Sequence, residues 1–327
     1  MTSKISIAPM MDWTDRHCRY FMRLLSPSVC LYTEMVTAQA LKFGDATRLL
    51  EFDVREHPVV LQLGGSDPEM MAEAAAMGAA QGYDEININV GCPSDRVQSG
   101  QFGACLMASP ETVAACVAAM SARIDVPITI KTRIGIDEHD DYEFLSAFVE
   151  ATAAAGCETF VIHARKAILE GLSPKENRSV PPLIYPRVYR LKQDFPTLSV
   201  ILNGGVTTVE DCQEHLRHVD GVMIGRQAYH QPWFLTELES AFGEGVIPGS
   251  RHEVVETMLP YIEKELARGT FLKHITRHML GLFAGQPGAR QWRRALSENA
   301  HRHGATVDVV REALGRIPAR EMTREQT

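Results

Sequence analysis

Nowhere in the 327 residues does an apolar run approach the ~20 positions that a membrane-spanning helix needs. The opening segment, MTSKISIAPM, has one lysine and no apolar stretch of the kind a secretory leader carries. The seven cysteines are odd in number and include no Cys-x-x-Cys pair. That pattern argues against a disulfide framework or a zinc knuckle, so no metal and no membrane are expected, and a reducing cytoplasm is the simplest compartment. No Gly-x-Gly-x-x-Gly follows the first strand-like run, which weakens a doubly wound dinucleotide-binding sheet.

A surplus of positive charge is lacking overall, since the net charge is −8. The balance is uneven along the chain. Residues 251–327 carry 13 Lys+Arg against 9 Asp+Glu, which leaves 20 against 32 for residues 1–250 out of totals of 33 and 41. An acidic body with a basic tail suggests that the tail meets a polyanion, although a solvated helical surface would read the same way.

Eight short β-rich runs are present: 4–9, 29–35, 58–65, 84–91, 127–133, 158–164, 198–205 and 220–226. Helical patterns lie between them, as at 67–82 and 109–124, several opening on cap signatures such as Asp67-Pro68, Ser109-Pro110 and Thr208 with Glu210-Asp211. This alternation predicts a (β/α)₈ TIM barrel over residues 1–240. A small helical domain, 241–327, is expected to follow, with helical segments at 252–268, 271–285, 289–304 and 306–317.

Active sites of such barrels form at the C-terminal ends of the strands. Those ends read Pro9-Met10-Met11, Glu34, Gln62, Asn89 with Cys92, Lys131, His163, Asn203-Gly204-Gly205 and Gly225-Arg226. Packing alone does not explain so many polar or glycine-rich ends on one rim. The glycines after the seventh and eighth strands, with Arg226, suit a phosphate-bearing cofactor. Lys131 alternates with apolar Ile128 and Ile130, so it faces the barrel interior and needs an anionic partner there, either a cofactor or a rim acid such as Glu34. Cys18, Cys116, Cys157 and Cys212 read as small core residues, Cys105 as packing, and Cys30 as core or barrel lining. The segment 99–104 looks like a mobile loop.

With these residues assembled, the chain resembles the tRNA-dihydrouridine synthases, and within them the A-type bacterial subfamily. The match runs through APMMDWTDRHCRYFMR (8–23), PVVLQLGGSDP (58–68), YDEININVGCPSDRVQSGQFGACLM (83–107), HARKAILEGLSPKENR (163–178) and ITRHMLGLFAGQPGARQWRRALSENAH (275–301). One departure is Gln231 in YHQPWF, where the family pattern leads one to expect asparagine.

The resemblance implies an FMN enzyme that uses NADPH to reduce uridine to 5,6-dihydrouridine at positions 20 and 20a of the tRNA D-loop. It implies that Pro9, Met10, Met11, Gln62, Lys131, His163, Asn203, Gly204, Gly205, Gly225 and Arg226 hold FMN. Cys92 matches the family's proton donor to C5, after hydride reaches C6. Asn89, Lys175, Arg178, Arg290, Arg293 and Arg294 match positions that approach tRNA. Trp292, between those arginines, reads as core. Two rivals remain at this point: a dihydroorotate-dehydrogenase-like flavin barrel acting on a small molecule, and a non-catalytic tRNA-binding protein on a relic barrel.

Overall fold

The computed structural model describes residues 4–94 and 100–318. It divides into two compact units, one of residues 1–16 and 29–225 and the other of residues 17–28 and 226–327.

The first unit is built on eight parallel strands: β1 (Ile5–Ile7), β2 (Leu31–Thr37), β3 (Val59–Gly64), β4 (Glu85–Val90), β5 (Ile128–Arg133), β6 (Thr159–His163), β7 (Ser199–Asn203) and β8 (Gly221–Ile224). From β2 to β8 each strand pairs with the next, and β8 pairs with β1. A parallel bridge between Ser6 and Cys30 joins β1 to the start of β2 and completes the ring. All eight expected strands form, giving the (β/α)₈ barrel. Period-two alternation explains the result, because a barrel strand packs one face on the helices and turns the other to the lumen. On β4, Ile86, Ile88 and Val90 are buried on one face while Asn87 and Asn89 share the other.

The lumen is filled below the rim by Ala8, Tyr32, Val60, Val161, Ile201 and Met223. Cys30 packs against that cluster, which settles it as barrel lining. Cys18, Cys116, Cys157 and Cys212 are fully buried, as expected of small core residues.

Helix Pro68–Gln81 follows its signature: the Asp67 carboxylate accepts the Met70 N–H at 2.7 Å, and Gly82 ends it at φ +100°. Gly78 lets this helix sit on β3, since a Cβ there would come within 2.6 Å of Leu61. Thr208 and Asp211 form a reciprocal capping box at helix Val209–His215. Ser109 differs from expectation, because its side chain makes no cap hydrogen bond and Pro110 alone starts helix Pro110–Ser121.

In the second unit, helices Arg251–Ala267, Ala289–Asn299 and Asp308–Gly315 form where expected. The expected helix over 271–285 stops at Thr276 and continues as tight turns. Gly281 accounts for this, because the chain there passes so close to the His230 carbonyl that a Cβ would sit 2.3 Å from its oxygen. Trp292 is fully buried, donates its indole N–H to the Met279 carbonyl at 2.9 Å and lies edge-on to Phe283. No helix among the described residues is long and apolar enough to cross a membrane.

Candidate functional site

Cys92 stands just beyond β4, where the strand gives way to an irregular turn. The turn is held by the strand's own last lumen-facing residue: Asn89 Oδ1 accepts the N–H groups of Gly91 (3.1 Å) and Cys92 (3.0 Å). The Cys92 carbonyl in turn accepts the Ala104 N–H at 2.9 Å. The Cys92 thiol is half-buried and 3.5 Å from the Ser94 hydroxyl. Ser99, the first residue of the expected mobile loop, lies outside the described residues. Cys105 is half-buried, and its thiol donates to the Phe102 carbonyl at 3.1 Å. Burial raises its pKa, so a packing role suits it.

Register puts Lys131 directly beside Asn89. Its ammonium donates to Asn203 Oδ1 at 3.0 Å, tying β5 to β7 across the rim. That amide is its sole hydrogen-bond partner among the described residues. Burial, and then the nearby Arg133 guanidinium, push its pKa down to about 7. Glu34 does something else: its carboxylate accepts the N–H of Asp12, a residue held at φ 64°, and so fixes the turn that follows Pro9-Met10-Met11. Pro9 and Met10 are half-buried and Met11 is exposed.

His163 and Asn203 lie side by side at the ends of β6 and β7. Gly204 (φ +116°) and Gly205 (φ +78°) turn the chain immediately above them. Both positions are closed to any side chain: a Cβ would stand 2.7 Å from the His163 ring at Gly204 and 2.5 Å from Leu183 and Tyr185 at Gly205. The Tyr185 hydroxyl braces the loop through the Gly204 carbonyl at 3.0 Å. A rim that offers a glycine turn closed to side chains and a half-buried cation held by an amide suits an anionic, phosphate-bearing group. Arg226 follows Gly225 in the chain and opens helix Arg226–His230 of the second unit.

Arg133 acquires importance only through register, and register changes the place expected for Gln62. Arg133 is buried, and its guanidinium reaches three carbonyls: Gly91 at 2.8 Å, Lys166 at 3.1 Å and Asn177 at 3.0 Å. It thereby clamps the Cys92 turn and the 163–178 segment from one strand. Burial lowers its pKa to about 10, and the Cys92 thiol is close enough to influence it. Gln62 is fully buried rather than rim-exposed, donating to Asn87 Oδ1 and accepting from Asn89 Nδ2, both at 2.8 Å. The alternation of charged residues in ITIKTR signals the lumen for Arg133, yet nothing in the sequence names its three acceptors.

Of the residues expected at tRNA, Asn89 is buried and engaged as described. Lys175 and Arg178 are exposed on the segment that Asn177 organises, its buried side chain bonding Ile168 N–H and the carbonyls of Ile168 and Leu172. Arg290, Arg293 and Arg294 form an exposed face of helix Ala289–Asn299, opposite Trp292, Ala295 and Leu296. Arg294 pairs with Glu298 at 2.8 Å.

The molecule is thus a (β/α)₈ barrel protein with polar strand ends gathered on one rim. Residues 6–317 match the family model described as dihydrouridine synthase (Dus). The chain is 58% identical over 321 residues to the tRNA-dihydrouridine(20/20a) synthase of Vibrio cholerae, covering 98% of each protein. It is 58% identical over 315 residues to the enzyme of the same name from Escherichia coli K12, covering 96% of this chain and 91% of that one. The chain belongs to the dihydrouridine synthase family. Among solved structures, a 2-naphthoyl-CoA reductase complex superposes with a TM-score of 0.57 at 8% identity, over 75% of this chain and 51% of that one. The chain therefore spans about half the length of that reductase, a likeness of fold alone.

Proposed function

We propose that the protein reduces uridine to 5,6-dihydrouridine at positions 20 and 20a of tRNA, with bound FMN and with NADPH as reductant. The observation that supports this most is the Cys92 turn, held by Asn89 and Arg133 on the same rim as the Gly204-Gly205 turn. FMN, when bound, supplies hydride to the pyrimidine ring. Gly204, Gly205 and Gly225 would meet its phosphate with backbone donors, joined by Arg226, while Pro9, Met10, Met11, His163 and Asn203 would line its remaining surface, with Gln62 supporting that surface from beneath through Asn89. Lys131 would balance negative charge on the ring system, and that charge would in turn favour its protonated form, which burial and Arg133 disfavour in the flavin-free rim.

Cys92 would hand its thiol proton to C5 of the base. A general acid contributes typically 10²–10⁴-fold, so its loss should slow the reaction by that order. Lys175 and Arg178 on the barrel unit, and Arg290, Arg293 and Arg294 on the helical unit, would contact phosphates and set affinity and orientation. A base inside folded tRNA must leave its stack to be reduced, and such grips offset that cost.

The test is mass spectrometry of digested tRNA from a strain lacking the gene, rescued with wild type or Cys92→Ala. Dihydrouridine at 20 and 20a should vanish in the deletion and return with wild type only. Unchanged dihydrouridine in the deletion would end the proposal. Full rescue by Cys92→Ala would end the proton-donor assignment.

A further inference from the structure

The lumen of the barrel carries a line of polar side chains that core packing does not require. It starts at the Cys92 turn, where the N–H groups of Gly91 and Cys92 donate to Asn89 Oδ1. Asn89 Nδ2 donates to Gln62 Oε1, and Gln62 Nε2 to Asn87 Oδ1, each at 2.8 Å. Asn87 Nδ2 donates to Thr129 Oγ1 at 2.8 Å, and Thr129 donates in turn to Glu85 Oε1 at 2.6 Å. The Tyr32 hydroxyl donates to the same carboxylate oxygen at 3.2 Å. Register explains the arrangement, because Gln62, Asn87 and Thr129 lie abreast on β3, β4 and β5.

Every bond in this chain points the same way, from the turn toward Glu85. The two ends impose that sense. Backbone N–H groups only donate, and a carboxylate only accepts. Reversing any one of the three amides would set N–H against N–H on one side and oxygen against oxygen on the other. Buried amides left facing like groups cost about 1–3 kcal/mol each, so the ordered state is self-reinforcing.

The geometry points to Glu85 as a positioning residue for Cys92, acting through this one-way chain of Thr129, Asn87, Gln62 and Asn89. Glu85 itself touches neither substrate nor cofactor. Its carboxylate fixes which end of each amide faces the rim, so that Asn89 presents oxygen to the Cys92 turn and Gln62 keeps a set orientation below the site. Burial, which raises the carboxyl pKa, makes any unsatisfied arrangement at this end costly. The inference rests on the reading of Cys92 as the group that meets the base, but its test does not.

The test is amide hydrogen exchange at Gly91 and Cys92 in the full-length protein, comparing wild type with Glu85→Leu, Thr129→Val and Glu85→Gln. Leucine removes the acceptor, and valine keeps the β-branched shape while removing the relay hydroxyl. Both should speed exchange at the two amides roughly tenfold, which corresponds to about 1.4 kcal/mol. Glutamine retains a carbonyl oxygen at the same place and should restore the wild-type rate. Unchanged exchange in a folded Thr129→Val protein overturns the inference, and so does Glu85→Gln behaving like Glu85→Leu. Should Glu85→Leu fail to fold, the valine and glutamine variants decide. Exchange is read without any reaction, so a wild-type protein that makes no dihydrouridine would sink the functional reading and leave this one standing.

Discussion

Replacing Lys131 by methionine should stabilise the flavin-free protein at neutral pH. In the native barrel the lysine's pKa falls from 10.5 to about 7, chiefly through burial and then through Arg133, while its hydrogen-bond partner is the neutral Asn203 amide. Every tenfold loss of proton affinity corresponds to about 1.36 kcal/mol, so the fall sets an upper bound of roughly 5 kcal/mol on the cost of holding this group as a cation. Some of the side chain stays exposed, and roughly 2–4 kcal/mol is the expected effect.

The dependence on pH follows from linkage. Between pH 7 and 10.5 the unfolded chain holds a proton that native Lys131 has released, so wild-type stability rises with pH across that window. Below pH 7 the cost is fully present, and above 10.5 it is gone. The advantage of Lys131→Met at about pH 9 should therefore be less than half that at about pH 6.5. Urea unfolding of both proteins at the two pH values measures it as a shift in midpoint at constant slope. An advantage equal at both pH values, or a variant less stable than wild type at the lower one, would refute the reasoning. FMN should reverse the preference, and its affinity should drop at least tenfold in the variant, about the loss of one charge-assisted hydrogen bond.

Two further outcomes are expected from the same rim. Gly204→Ala combines a φ of +116° with a Cβ placed 2.7 Å from the His163 ring, so FMN affinity measured by flavin fluorescence should fall by roughly tenfold or more; an unchanged affinity would remove this loop from the cofactor site. Arg133→Leu leaves the carbonyls of Gly91, Lys166 and Asn177 without their buried donor, which should destabilise the barrel by about 1–3 kcal/mol in denaturant titration. A loss below about 1 kcal/mol would mean that the clamp is not needed.

The barrel was legible because lumen-facing and helix-facing positions alternate, and β4 shows it best, with three apolar residues on one side and two asparagines on the other. Alternation likewise turns Lys131, His163 and Asn203 to the rim, whereas Gln62 shares their phase but lies buried one layer below. Partnerships across strands were not legible. Whether Lys131 meets Glu34 or Asn203, and whether Asn89 faces outward or caps the Cys92 turn, depends on stagger between strands, which no single strand's pattern contains. The direction of the amides in the lumen is further removed still, being a property of the whole network. In the tail, Trp292 was readable as core because Arg290, Arg293 and Arg294 occupy the opposite helical face. The halt at Thr276 was hidden, since Gly281 is required only by the close passage of residue 230.

The membership of residues 17–28 in the helical unit has a consequence for how the chain is made. Glu239 accepts from Ser26, from Ser28 through both its N–H and hydroxyl, and from the Gly245 N–H. Tyr20 stacks on Tyr261 at 3.8 Å between ring centres, and His17 bonds the same tyrosine 244 positions away. A ribosome releases this first helix long before it has synthesised the residues that cover it. The helical unit cannot finish folding until nearly the whole chain has emerged, and throughout that interval Cys18, Tyr20, Phe21, Met22 and Leu25 must be kept from other company. Neither unit can be obtained intact by a single cut in the gene: a fragment ending at residue 225 carries a helix without its partners, and one starting at 226 carries the partners without their helix.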